Sequence, residues 1–247
     1  MDKIDEQISV LGKGVLPKWP QMIVTGASVT PDQAFDIIFR TDGFLTDASE
    51  YSGGNNRAFG KWYRNAAGLN ALQIERKYPE GHTYMDQDWN RCEQLRNAIG
   101  FVSTEYVSND WAASCFIYGP HGWCHPDGRI QYVDNVGKWP KERDIYDEWT
   151  TIAAAWPFLD LHVTLMSGES CEDDTEPLIN FRVANGTVEV CRPDLTVHNK
   201  IAARSSDDMF AALSMGRENG LPNSWYTRAA AIVKEKIASL PVDAENT

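Results

Sequence analysis

The residues best suited to metal or nucleophilic chemistry are His121, Cys124 and His125, which fall within five positions and are followed by Asp127. Imidazole and thiolate are both good zinc ligands. The same pair, Cys124 beside His125, also has the residue types of a nucleophile and its base. The spacing works against both readings. On an extended strand, neighbouring side chains point to opposite faces, so Cys124 and His125 meet one ion only across a kink or bulge, for which Gly119-Pro120 and Gly122 are the available residues. No second ligand pair lies nearby, so His82, His162 or His198 would have to arrive through folding. Nothing flanking Cys124 reads as an oxyanion site. The plainer expectation is a hairpin with a packed Trp123 and a buried thiol.

A different chemistry is suggested by Asn55-Asn56-Arg57-Ala58-Phe59-Gly60-Lys61-Trp62-Tyr63-Arg64, which puts three cations and three rings into a short stretch of an acidic chain. Guanidinium and ammonium groups answer phosphate or carboxylate, and aromatic faces answer a planar base. Arg57, Phe59, Lys61, Trp62, Tyr63 and Arg64 are therefore candidate ligands for a small nucleotide-like anion. The competing expectation packs the rings on the core and sends Arg57, Lys61 and Arg64 outward to pair with carboxylates. Neither a P-loop nor a GxGxxG fingerprint accompanies the segment.

The third group is Ser167-Gly168-Glu169-Ser170-Cys171-Glu172-Asp173-Asp174-Thr175-Glu176, with five carboxylates and no cation. It lacks the alternating ligands and central glycine of an EF-hand loop. As a solvated turn it needs no function. As a presented surface, Glu169, Glu172, Asp173, Asp174 and Glu176 would dock on a basic site of another protein.

The elements that must position these groups can be read from periodicity and punctuation. Met22-Ile23-Val24 predicts a short strand. Thr30-Pro31-Asp32-Gln33 predicts a helix start, with a Thr cap, Pro at the first helical position and Gln at the third. Asp86 to Ala98 reads as a helix closed by Gly100. Phe101–Val107 and Trp111–Tyr118 are β-rich, and residues 123–130 form two arms around Pro126-Asp127-Gly128. Lys141 to Trp156 has helical spacing and stops at Pro157. Leu159–Met166, Leu178–Ala184 and Thr187–Cys191 read as strands, the last two joined by the hairpin dipeptide Asn185-Gly186. Two helices follow, one capped by Ser205 and one from Asn223 to about Leu240. The stretch from Asp2 to Pro20, with Gly12, Gly14, Pro17 and Pro20, reads as an arm laid over the body rather than a regular element.

These elements predict an α+β fold, a central, mostly antiparallel sheet with helices from both ends of the chain packed on it. A chain of 247 residues fits one globular domain over 1–247, with an arm at 1–20 and a frayed tail at 241–247. Nine Trp, nine Tyr and nine Phe imply that burial rests on large rings. The formal charge of −12 argues against a nucleic-acid partner, since phosphate affinity needs clustered cations. Five irregularly spaced cysteines without a CxxC pair are expected to be reduced and mostly buried. No secretory signal or membrane span is read, so the expected location is cytoplasmic. No cofactor is indicated. Function is read first as non-enzymatic, an interaction protein or antagonist presenting its acidic surface to a basic site. The alternatives are a protein that sequesters or acts on a nucleotide-like anion at 55–64, and a metal enzyme at His121, Cys124 and His125. Oligomeric state is left open.

Overall fold

A computed structural model describes residues 2–18, 20–41, 94–102, 104, 106–107, 122–135, 140–167, 176–193 and 221–240. Their centre is a five-stranded antiparallel sheet of β1 (Gln21–Gly26), β2 (Gln131–Asn135), β3 (Asp160–Met166), β4 (Pro177–Ala184) and β5 (Thr187–Cys191), in the order β2-β1-β3-β4-β5. The early strand β1 thus sits inside the sheet, paired with β2 on one side and β3 on the other. Its apolar run explains this: Met22, Ile23 and Val24 are all buried, as a strand covered on both faces requires. From β3 to β5 the chain is a meander. Asn185 and Gly186, at φ 52° and 75°, make the two-residue turn that joins β4 to β5.

Register places Met22, Val24, Leu161, Val163, Leu165, Ile179, Phe181, Val183, Val188 and Val190 on one face of the sheet. That face carries the larger core. Helix α1 (Lys3–Leu11) lies against β5, and the helix that follows β2, Glu142–Ala155, lies against β4 and β5. With α2 (Pro31–Phe39) counted second in chain order, Glu142–Ala155 is α3 and Asn223–Ser239 is α4. Ile145, Trp149, Ile152 and Ala153 of α3 fall at helical spacing and are buried in this core. Trp123 packs on Trp149 and Trp156 at ring-centroid distances of 5.3 and 6.5 Å.

Helix α2 starts at the expected place. Thr30 Oγ1 accepts from Gln33 N, and Gln33 Oε1 accepts from Thr30 N. It joins two cores, because Ala34 and Ile37 face the sheet core while Phe35, Ile38 and Phe39 pack with Leu95, Ile99, Leu221, Ala229 and Val233. Trp225 of α4 meets Phe35 edge-on at 5.4 Å, and Arg228 pairs with Asp32 at 2.6 Å. At the end of α2, Asp36 Oδ2 accepts from the Trp156 indole at 2.7 Å and pairs with Arg40 at 3.2 Å.

Two local expectations are corrected. The segment from Asp2 contains a regular element, α1, because Asp2 caps it by accepting from Ile4 and Asp5 amides while Ile4, Ile8 and Leu11 recur along one side against the core. The glycines and prolines that suggested an irregular arm begin only at Gly12. Among the described residues of 101–107 none is in a strand: Tyr106 and Val107 donate their amides to the Glu148 carboxylate, at 3.1 and 2.7 Å, instead of to a ladder. Residues 94–99 are helical, as expected of the end of that segment. The earlier part of that helix, the segment 111–118 and the helix capped by Ser205 lie outside the described residues. No helix among the described residues is long and apolar enough to cross a membrane.

Candidate functional site

Cys124 and His125 lie in the turn that leads into β2. Cys124 bridges to Ile130, His125 N donates to Arg129 O at 2.9 Å, and Gly128 N donates to His125 O at 2.8 Å. The turn is seated on the connection between β1 and α2, where Val29 N donates to Gly128 O at 2.8 Å. Gly128 has φ 86°, and a Cβ there would stand 2.0 Å from Val29 O, so both conformation and contact require glycine.

The two side chains have separate surroundings. Cys124 is fully buried in the sheet core. Burial, with the Asp127 charge adding to it, pushes its thiol up to about 12, so it carries no thiolate at neutral pH. His125 is half-buried, and its Nε2 donates to Gln131 O at 3.1 Å. Burial and the nearby Arg129 charge lower its pKa, which keeps the ring neutral. Burial pushes the Asp127 carboxyl up, but the Arg129 amide and guanidinium, the latter at 2.6 Å, more than offset this and leave it below its ordinary range. His121 lies outside the described residues, among which no group of three His, Cys, Asp or Glu side chains is placed to hold a metal ion. Arg57, Phe59, Lys61, Trp62, Tyr63 and Arg64 also lie outside them.

Of the acidic group, Glu176 is described and exposed, while Glu169, Glu172, Asp173 and Asp174 fall in the undescribed 168–175. The two ends of this connection are joined to each other. Ser167 N donates to Glu176 O at 2.8 Å, and Glu176 N donates to Ser167 Oγ at 2.8 Å. Just inside this closure, the register of β3 and β4 shifts between Leu165 and Met166. The acidic run is therefore the connection of a hairpin whose strands are both interior to the sheet.

A further polar arrangement was not singled out by sequence reasoning. Gln131, Thr25, His162, Arg182 and Glu189 are successive register partners across all five strands, on the face opposite the larger core. In the adjoining rank, Thr164 Oγ1 donates to Asn180 Oδ1 at 3.3 Å, and Asn180 Nδ2 donates to His162 Nδ1 at 3.3 Å. With Nδ1 accepting, the neutral His162 ring carries its proton on Nε2. Thr164 and Asn180 are buried, so this is an internal, hydrogen-bonded layer. Arg182 pairs with Asp160 and donates to the Leu161 and Val183 carbonyls at 3.1 Å. Cys191 is Asn180's register partner on β5, which puts a full strand between it and His162. Burial raises its thiol pKa, as does Glu189, and its Sγ turns to the Glu189 carbonyl. The rank thus assembles no nucleophile–base pair. Its signal in the sequence is the alternation of His162 with Thr164, Asn180 with Arg182 and Glu189 with Cys191 along three strands.

No protein-family model matches the chain, and no curated protein is similar to it in sequence.

Proposed function

We propose that this protein is a non-enzymatic binding protein that presents the acidic connection between β3 and β4 to a basic surface on another protein. The observation that carries the reading is the closure at its base, where Ser167 and Glu176 exchange two hydrogen bonds. Between them lie four carboxylates, those of Glu169, Glu172, Asp173 and Asp174, with no cation. Like charges this close in sequence repel one another, and a chain selected only for stability gains nothing from collecting them between two tethered ends. A cationic partner removes that repulsion, which makes the same charges favourable on association. The overall charge of −12 steers such a partner toward the molecule from a distance.

The test measures affinity for an immobilised lysine- and arginine-rich peptide. Glu169→Gln, Glu172→Gln, Asp173→Asn and Asp174→Asn are combined in one variant. A second variant removes as many charges elsewhere, by changing Glu6, Glu142, Glu189 and Glu235 to Gln. The expected result is a loss of about tenfold or more in the first variant and a much smaller loss in the second. Equal losses in the two would refute the assignment, because they would show attraction to net charge alone.

A further inference from the structure

We propose that helix α1 is a displaceable strap, latched by Arg143, over a preformed apolar strip between α3 and β5. Nine residues form the helix and none of them is fully buried. It holds to the body through half-buried Ile4, Ile8 and Leu11, while Val10 and, just beyond the helix, Val15 stand 68% and 87% exposed. A helix this short has little stability of its own, so its order depends on what it touches.

A single guanidinium supplies its charged attachment among the described residues. Arg143 Nη1 reaches Asp2 Oδ2 at 2.7 Å and Asp5 Oδ1 at 3.3 Å, and its Nε is held by Asp147 Oδ1 on the next turn of α3 at 2.9 Å. Asp147 aims the guanidinium, and Asp2 and Asp5 are the two residues that make the α1 capping box. The latch thus grips the end of α1 on which its start depends. At the other end Lys13 N donates to Leu178 O at 2.8 Å, which fixes the chain beyond the helix to the start of β4.

The strip beneath does not need α1 in order to persist. Tyr146 OH donates to Val188 O at 3.3 Å, and the Tyr146 ring meets Phe181 edge-on at 5.8 Å, so α3 and β5 are joined independently of the strap. Release of α1 uncovers the part of α3 and β5 that it lies against, with the sheet intact.

Amide hydrogen exchange on the full-length chain tests this, in about 0.1 M and about 1 M salt, for the natural protein and for Arg143→Gln. The expected result is exchange over residues 3–11 that is faster by roughly three- to tenfold in high salt, with Arg143→Gln matching that rate at both salt levels. Protection of α3 and β5 stays unchanged. Exchange in α1 that ignores salt overturns the proposal, as does faster exchange that spreads equally to α3 and β5. The salt series on the natural protein decides the question even if the variant fails to fold.

Discussion

At the scale of single residues, the hairpin at 122–131 shows how one sequence cluster divides into separate tasks. Cys124 fills the core as a thiol, and His125 closes the turn by donating to Gln131 O. The lowered pKa of His125 has a defined consequence. Above its ordinary value of 6.5 the ring is neutral whether the chain is folded or not, and stability is complete. Below 6.5 the unfolded chain takes up a proton that the folded ring resists, so stability falls as pH falls. NMR titration of the ring is expected to give a midpoint below 6.5, and His125→Gln to flatten the decline in stability on acidification. A midpoint at or above 6.5 would contradict this account. The residue types around Cys124 were legible in the sequence, and so was the tight turn. The packed Trp123 and buried Cys124 thiol are as the sequence led one to expect, whereas the seating of the turn on the Val29 carbonyl, which Gly128 meets from another part of the chain, was not legible.

At the scale of elements, local signals located α2, α3, α4 and the hairpin of β4 and β5 to within a residue or two, because caps, Pro157 and Asn185-Gly186 act on their own neighbours. The pairing of β1 with both β2 and β3 was not legible, since it joins residues more than a hundred positions apart. Nor was the bond from the Trp156 indole to Asp36, which ties the end of α3 to α2. That bond has a measurable worth against its neighbour. Trp149 and Trp156 are equally buried, but among the described residues the Trp149 indole N–H has no acceptor. Replacement by Phe shortens both rings alike, so the difference between the two variants isolates the hydrogen bond. Trp156→Phe is expected to cost about 1–2 kcal/mol more than Trp149→Phe in urea unfolding, since it removes a hydrogen bond to a charged acceptor, whereas Trp149→Phe removes an N–H that has none. Equal costs would mean that the indole–carboxylate bond adds nothing net.

At the scale of the whole molecule, the sheet divides the described residues into an apolar side, under α1 and α3, and a polar rank on the other side. Strand alternation makes both sides readable in principle, but the register that aligns them joins strands far apart in the chain and is written in none of them alone. Of the candidate site, the sequence revealed composition: five carboxylates from Ser167 through Glu176. It did not reveal the closure of the connection at its base, which comes from a serine hydroxyl meeting an amide nine residues away. Composition and closure together support the proposal that the protein binds a basic partner through this connection. Carbodiimide coupling, which joins carboxylates to amines without a spacer, tests that claim most directly when the protein is mixed with the lysine-rich peptide and the cross-links are mapped by mass spectrometry. The account predicts cross-links concentrated at Glu169, Glu172, Asp173, Asp174 and Glu176 and diminished by salt. Cross-links spread evenly over exposed acids such as Glu6, Glu189 and Glu235 would contradict it.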